Sequence, residues 1–272
     1  MEAQIITIFC VIDDILKSID FYDDRQVKIS TAEVITIAIS AGMFFGGNQE
    51  KTRTFFRDHK YVKDVISKSQ FNRRLHRIDE SIWELIHFTL AQIFISQNTM
   101  QKYAVDSFPV EVCHNIRIKR CKIYKTDEYR GKCVSKREYF FGIRVHMVTT
   151  QSGNPVEFIF APGSHHDGRV FKCLQLDLPE GSTVYTDSAY TDYEYEDILK
   201  DANINILVAR KSNSKKPHPG YIEYLISHFR KTIETSFSQI TALFPRKIHA
   251  VTGKGFELKV FCFILAYSFS RL

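Results

Sequence analysis

The chain has 272 residues, 44% of them hydrophobic and 25% charged, with only 12 Gly and 7 Pro. That balance excludes a disordered, collagen-like or rod-like chain and predicts about two globular domains. Net charge is +6, from 37 Lys and Arg against 31 Asp and Glu. Residues 1 to about 99 read as helical. Ser30 with Glu33 fits a capping box ahead of the apolar run Val34 to Phe45, and Gly46-Gly47 stops it. Ser69 to Arg77 is a short basic helix. Ile82, Leu85, Ile86, Leu90 and Ile93 recur at helical spacing. Several short helices with one basic member suit a helix-turn-helix-like DNA reader, and equally a plain helical bundle.

From Lys102 the texture changes to strands. Tyr103–Val110 is a short strand closed by Pro109. Tyr139–Thr149 and Val156–Ala161 form a hairpin about the turn Gln151-Ser152-Gly153-Asn154. A helix follows Asp167, with that residue as its cap. Then come a strand at Thr183–Thr186, a helix at Tyr193–Asp201, a strand at Ile204–Ala209, and helices at Gly220–Phe244 and Gly255–Ser270. This order is a mixed α/β domain. The longest apolar stretches, Val34–Gly47 and Val260–Phe269, fall short of the ~18–20 residues that span a bilayer, and no basic signal-peptide start is visible. A cytoplasmic protein with no membrane partner is expected. The six cysteines form no Cys-x-x-Cys pair and read as free, mostly buried thiols.

The positive charge is concentrated. From Arg117 to Arg144 ten Lys and Arg, among them Arg117, Lys119, Arg120 and Lys122, face three acids. Tyr124, Tyr129, Tyr139, Phe140 and Phe141 lie among them. Cations attract phosphates and aromatics stack on bases, so this window is a candidate DNA surface; a solvated loop and strand face has the same composition. A second run, Arg210, Lys211, Lys215 and Lys216, reads as an exposed loop.

Three acids stand out. Asp106 lies in the strand from Tyr103 and shares a face with Ala104 and Phe108. Asp187 closes the strand Thr183–Thr186, where an acid can also cap the next element. Glu234 falls on the flank of an apolar stripe that runs from Ile222 to Phe244, one turn after Arg230, with which it can simply pair. If the three cluster, a divalent cation must offset their repulsion, and oxygen-only ligands suit Mg²⁺ or Mn²⁺. Two such ions serve phosphoryl transfer.

Four segments in order carry a resemblance: Val105-Asp106-Ser107-Phe108-Pro109-Val110, Gly163-Ser164-His165-His166-Asp167, Tyr185-Thr186-Asp187-Ser188-Ala189-Tyr190, and Arg230-Lys231-Thr232-Ile233-Glu234-Thr235-Ser236-Phe237. The chain resembles the DDE transposases of bacterial insertion sequences, in particular insertion-sequence family nine-eighty-two; Ser69 to Leu75 is also similar, so the likeness runs nearly end to end. The resemblance implies an α/β, RNase H-like mixed sheet flanked by helices at about 100–272, with a basic insertion near 113–137. The helical domain at 1–99 would bind the DNA ends. It further implies a metal-dependent enzyme that cuts at terminal inverted repeats and joins the ends to target DNA. Asp106, Asp187 and Glu234 would be catalytic residues and ligands of two Mg²⁺ or Mn²⁺ ions. One of His165 and His166 would lie near the scissile phosphate, and a homodimer would form on DNA, associated with the nucleoid. Related groups carry Tyr-x-x-Arg-x-x-x-Glu-x-x-x-x-x-x-Lys; here Arg230 and Glu234 keep the spacing, but Ser227 and Thr241 stand at the Tyr and Lys positions. Arg230 is therefore a DNA-binding candidate, with Lys231 or the 210–216 run in place of the missing Lys. The alternatives are a nuclease that only hydrolyses and an inactive DNA-binding derivative.

Overall fold

The computed structural model describes residues 1–63, 66–133 and 137–272. Lys136, one of the ten cations in the basic window, lies outside them. The chain forms two compact units, one of residues 1–90, 240–250 and 254–272, the other of residues 91–239 and 251–253. Residues 240–250 and 254–272 thus group with the N-terminal helices, whereas the change of sequence texture predicts a single cut near residue 99.

The first unit is helical: α1 (Glu2–Ser18), α2 (Thr31–Phe44), α3 (Gln49–Asp58), α4 (Lys68–Leu75), most of α5 (Glu80–Gln97), and α9 (Gly253–Phe269). Ser30 and Glu33 form the expected capping box on α2. Gly46 and Gly47 end its run with φ of 55° and 74°, values that cost glycine nothing. Ser67 and Gln70 make a second box on α4, two residues ahead of the expected start. Both α2 and α9 are apolar on nearly every side and are buried accordingly. They approach so closely that a Cβ on Gly42 would sit 3.1 Å from the Cys262 carbonyl oxygen. Burial pushes the Cys262 thiol up to about 12. It is the one buried cysteine; Cys10 and Cys173 are exposed and the other three half-buried, so the cysteines are not mostly buried as expected.

The second unit is built on a six-stranded sheet: β1 (Lys102–Cys113), β2 (Arg130–Cys133), β3 (Glu138–Thr150), β4 (Pro155–Pro162), β5 (Thr183–Thr186) and β6 (Asn205–Val208). The order is β2–β3–β1–β5–β6, and β4 pairs with a further stretch of β3. Strands β1, β2 and β4 each pair antiparallel with β3; β5 pairs parallel with β1, and β6 parallel with β5. This is a mixed sheet flanked by helices, the α/β architecture that the resemblance implies. The β3–β4 hairpin and β5 appear as expected. β1 runs on through Pro109 to Cys113 rather than ending there: its ladder with β5 stops at Val105↔Thr186, so Pro109 sits on an open edge where a missing N–H is tolerated. The short strand β2, inside the basic window, was not foreseen; four residues with two lysine-arginine positions carry no alternating apolar signal.

Helices α6 (Asp167–Phe171), α7 (Tyr193–Asp201) and α8 (Gly220–Ala242) complete the unit. Helix α8 buries its expected stripe: Ile226 and Phe229 pack with Tyr185 of β5, and the Phe229 ring stacks on Tyr185 at 4.4 Å. Farther along, Phe237 meets Phe108 of β1 at 4.6 Å. These contacts set α8 across one face of the sheet. Among the described residues, no helix is long and apolar enough to cross a membrane.

Candidate active site

Where β1 and β5 part, their next residues are Asp106 and Asp187. Val105 is paired with Thr186, so the two acids follow in register on adjacent parallel strands, which lie ~4.8 Å apart. Side chains alternate faces along a strand. Asp106 therefore shares the face of Phe108, which packs on α8, and Asp187 follows the direction of Tyr185, which also packs on α8. Helix α8 brings Arg230 and Glu234 one turn apart on the flank of its buried stripe.

The result is a convergence on one cation. Nη2 of Arg230 stands 3.2 Å from Oδ2 of Asp106, 3.7 Å from Oδ2 of Asp187 and 3.8 Å from Oε1 of Glu234. All three oxygens lie within 3.8 Å of a single nitrogen, so no two of them can be farther apart than twice that distance. Exposure rises across the set: 18% for the Asp106 side chain, 39% for Asp187 and 60% for Glu234. Asp106 is the interior member. Burial raises its pKa, and the adjacent Arg230 charge and the Ser107 N–H, which donates to Oδ1 at 2.8 Å, pull the other way. Asp187 does both things open to it. Its side chain accepts from the Ser188 N–H and caps the 3₁₀ turn Ser188–Tyr190, while its other oxygen faces Arg230. The Arg230–Glu234 pair foreseen as an ordinary helix contact is present, as one arm of this larger cluster.

The donor set is carboxylate only, which fits a hard divalent cation. In the arrangement present, no three His, Cys, Asp or Glu groups among the described residues close up into a metal cage. The Arg230 guanidinium sits between the acids and supplies the positive charge. A cation entering here must take over the place of Nη2, because three carboxylates cannot face each other uncompensated.

The opposite face of β1 carries a second polar group, whose members lie far apart in sequence. Ser107 points away from Asp106 and pairs in register with His146 of β3. Oδ1 of Asp167 accepts from the Ser107 hydroxyl at 3.3 Å and lies 3.6 Å from Nη1 of Arg144 and 3.8 Å from Nδ1 of His146. His146 is fully buried, with its Nδ1 also 3.4 Å from the Tyr190 hydroxyl. Burial pushes it down to about 3, so the ring is neutral. The signal was available: Ser107, His146 and Arg144 are all polar residues in strands β1 and β3.

Asp167 is not the cap of its helix. That place belongs to His166, whose Nδ1 accepts from the Gly168 N–H at 3.3 Å, which leaves the Asp167 carboxylate free to turn inward to Ser107 and Arg144. His165 is half-buried and His166 exposed. Among the described residues no hydrogen bond or ion pair joins either to Asp106, Asp187 or Glu234.

The basic window forms an excursion between β1 and β2. Arg117, Lys119 and Arg120 lie on a 3₁₀ helix, Asn115–Arg120, and with Lys122 they are exposed. None of these four makes an ion pair among the described residues. The aromatics interleaved with them are mostly not available for stacking on bases: Phe140, Phe141 and Tyr124 are buried, and Tyr124 stacks on Tyr129 at 3.9 Å. Tyr139 alone is largely exposed. In the second run Arg210 is held by Glu196 in a nearly buried ion pair and is no free cation, whereas Lys231 on α8 is exposed and makes no ion pair among the described residues.

No curated protein matches the chain. Among solved structures, a piggyBac transposase synaptic complex with hairpin DNA, determined by cryo-EM, aligns with a TM-score of 0.48 at 10% sequence identity, over 96% of this chain and 71% of that one. A family model described as transposase DDE domain matches residues 96–248. That stretch takes in β1 to β6 and α8 with all three acids, and it is more than half of the sequence: the chain belongs to the transposase DDE domain family.

Proposed function

We propose that the chain is a metal-dependent DNA transposase that cuts at the terminal inverted repeats of an insertion sequence and joins the ends to target DNA. The observation that carries this reading is the meeting of Asp106, Asp187 and Glu234 around one guanidinium nitrogen. Their oxygens would hold Mg²⁺ or Mn²⁺, one or two ions. When bound, such ions activate the attacking oxygen and stabilise the leaving oxygen of a phosphoryl transfer. Arg230 would leave the carboxylates and donate its N–H groups to a phosphate oxygen beside them, since a planar guanidinium suits phosphate as well as carboxylate. Arg117, Lys119, Arg120 and Lys122 would grip the backbone of the duplex, with Lys231 nearer the acids. The helical residues 1–99 would read the ends, in a homodimer that acts on nucleoid DNA in the cytoplasm. His165 and His166 are candidates for contacts with the DNA next to the site.

Asp106→Ala, Asp187→Ala and Glu234→Ala test this in a joining assay with labelled element ends, Mg²⁺ or Mn²⁺ and a target plasmid. The expected outcome is loss of joined product in each. Normal joining by any variant removes that residue from the catalytic set. A wild-type chain that cleaves but never joins is a nuclease. One that binds the ends while the three acids are dispensable is a DNA-binding derivative.

A further inference from the structure

The outer line of α8 departs from what a solvated helix face is made of. Tyr221, Tyr224, His228, Lys231 and Thr235 recur at steps of three and four, so they form one stripe. It lies opposite the stripe of Ile226, Phe229, Ile233 and Phe237 that packs on the sheet unit's core. The Tyr221 side is 68% exposed and Tyr224 70%. The Tyr224 and His228 rings are nearly parallel, at 21° with centroids 6.2 Å apart. Lys231 follows one turn later, and no carboxylate stands on this line. From Tyr221 to Lys231 is about 15 Å at the helical rise, and Glu234 of the acid cluster comes three residues after that.

We propose that this face is a stacking track for unpaired DNA bases leading to the acid cluster. Tyr221, Tyr224 and His228 would offer π faces to successive bases, and Lys231 would pair with the phosphate nearest Glu234. The chemistry differs from that of the 115–122 excursion. There the exposed groups are cations and most aromatics are buried, which suits a duplex backbone; here rings are exposed with a single cation, which suits bases out of their stack. A second protein copy fits less well, because the face has two tyrosines flanked by Ser227, Thr235 and Ser238 and lacks the aliphatic centre of a protein interface. The proposal rests on the transposase reading only for the reason that a strand end should lie there.

The test is fluorescence anisotropy with a labelled oligodeoxythymidine and with a duplex of equal length, on the full chain in EDTA. Without metal the outcome is independent of whether the acids are catalytic. Tyr221→Ala and Tyr224→Ala should each weaken single-strand binding about 5- to 100-fold, the effect of one lost base stack, and change duplex binding less than about 2-fold. Tyr224→Phe, which keeps the ring, should bind like the wild type. Unchanged single-strand affinity in the alanine variants overturns the proposal. So does equal weakening on duplex, or a Phe variant as weak as the Ala one. A shift in the monomer–dimer equilibrium with normal oligonucleotide binding would make the face a protein contact instead.

Discussion

Asp106 and Ser107 are neighbours on β1, yet they face two different kinds of polar site. On the Asp106 face three acids and Arg230 meet where β1 and β5 diverge, and exposure climbs from Asp106 to Glu234. On the Ser107 face, Asp167, Arg144, His146 and Tyr190 are gathered under cover, and His146 has no exposed surface. One face opens outward to a largely exposed glutamate; the other closes on a fully buried histidine. The contrast teaches that a strand end can hold an acid cluster in place when its reverse side is fixed by polar contacts around a buried, neutral histidine.

The sharpest way to break this contrast is to remove the acids. Alanine at Asp106 or Asp187 should lower joining by more than the ~10–100-fold typical of residues that merely support a metal ligand, while Asp167→Asn on the reverse face should stay within that range. Equal losses on both faces would mean that the two clusters act as one.

Arg230 comes next. Replacing it by Met leaves the interior Asp106 without its partner. Because the two side chains keep 22% and 18% exposure, the cost should be about 2 kcal/mol in urea unfolding, below the ~3–5 kcal/mol of a fully buried broken pair. Saturating Mn²⁺ should shrink that difference, since it supplies the acids with another cation. A loss that Mn²⁺ does not reduce would place the arginine's role in packing.

The buried histidine predicts a pH dependence. The folded state keeps His146 neutral down to about 3, while the unfolded chain takes a proton near the ordinary value of ~6.5. Its contribution to stability is therefore complete above that upper value and is lost as pH falls towards the lower one. The slope from this group reaches about 1.4 kcal/mol per pH unit. His146→Gln should remove that slope from a series of urea unfolding curves; an unchanged slope would mean that the ring charges in place.

Much of this was legible in the letters. The period of two from Tyr103 to Phe108 put Asp106 on the face of Ala104 and Phe108, and the stripe from Ile222 to Phe244 put Glu234 on the flank. Strand Thr183–Thr186 and helix Tyr193–Asp201 fell at their expected bounds. What could not be read was which groups meet across elements. Arg230 was visible as a helix neighbour of Glu234, but its reach to Asp106, 124 residues away, is set by the packing of α8 on the sheet. Asp167 looked like a cap because an acid before a helix usually is one. The register between Ser107 and His146 turned it inward. The aromatics among the lysines looked exposed because the window is polar, and Phe140 and Phe141 belong instead to β3 and its core.

The smallest effect belongs to the basic excursion. Lys119, Arg120 and Lys122 replaced together by Ala should weaken duplex binding about equally on all sequences and flatten the salt slope by up to ~3. An unchanged slope would return those side chains to solvent.

The central claim, that Asp106, Asp187 and Glu234 hold a divalent cation once Arg230 yields its place, is tested most directly by titrating Mn²⁺ into the free protein and following its electron paramagnetic resonance signal. The account predicts saturable binding that the triple variant Asp106→Asn, Asp187→Asn, Glu234→Gln abolishes and that Arg230→Met tightens. Binding of equal strength in the triple variant would contradict it.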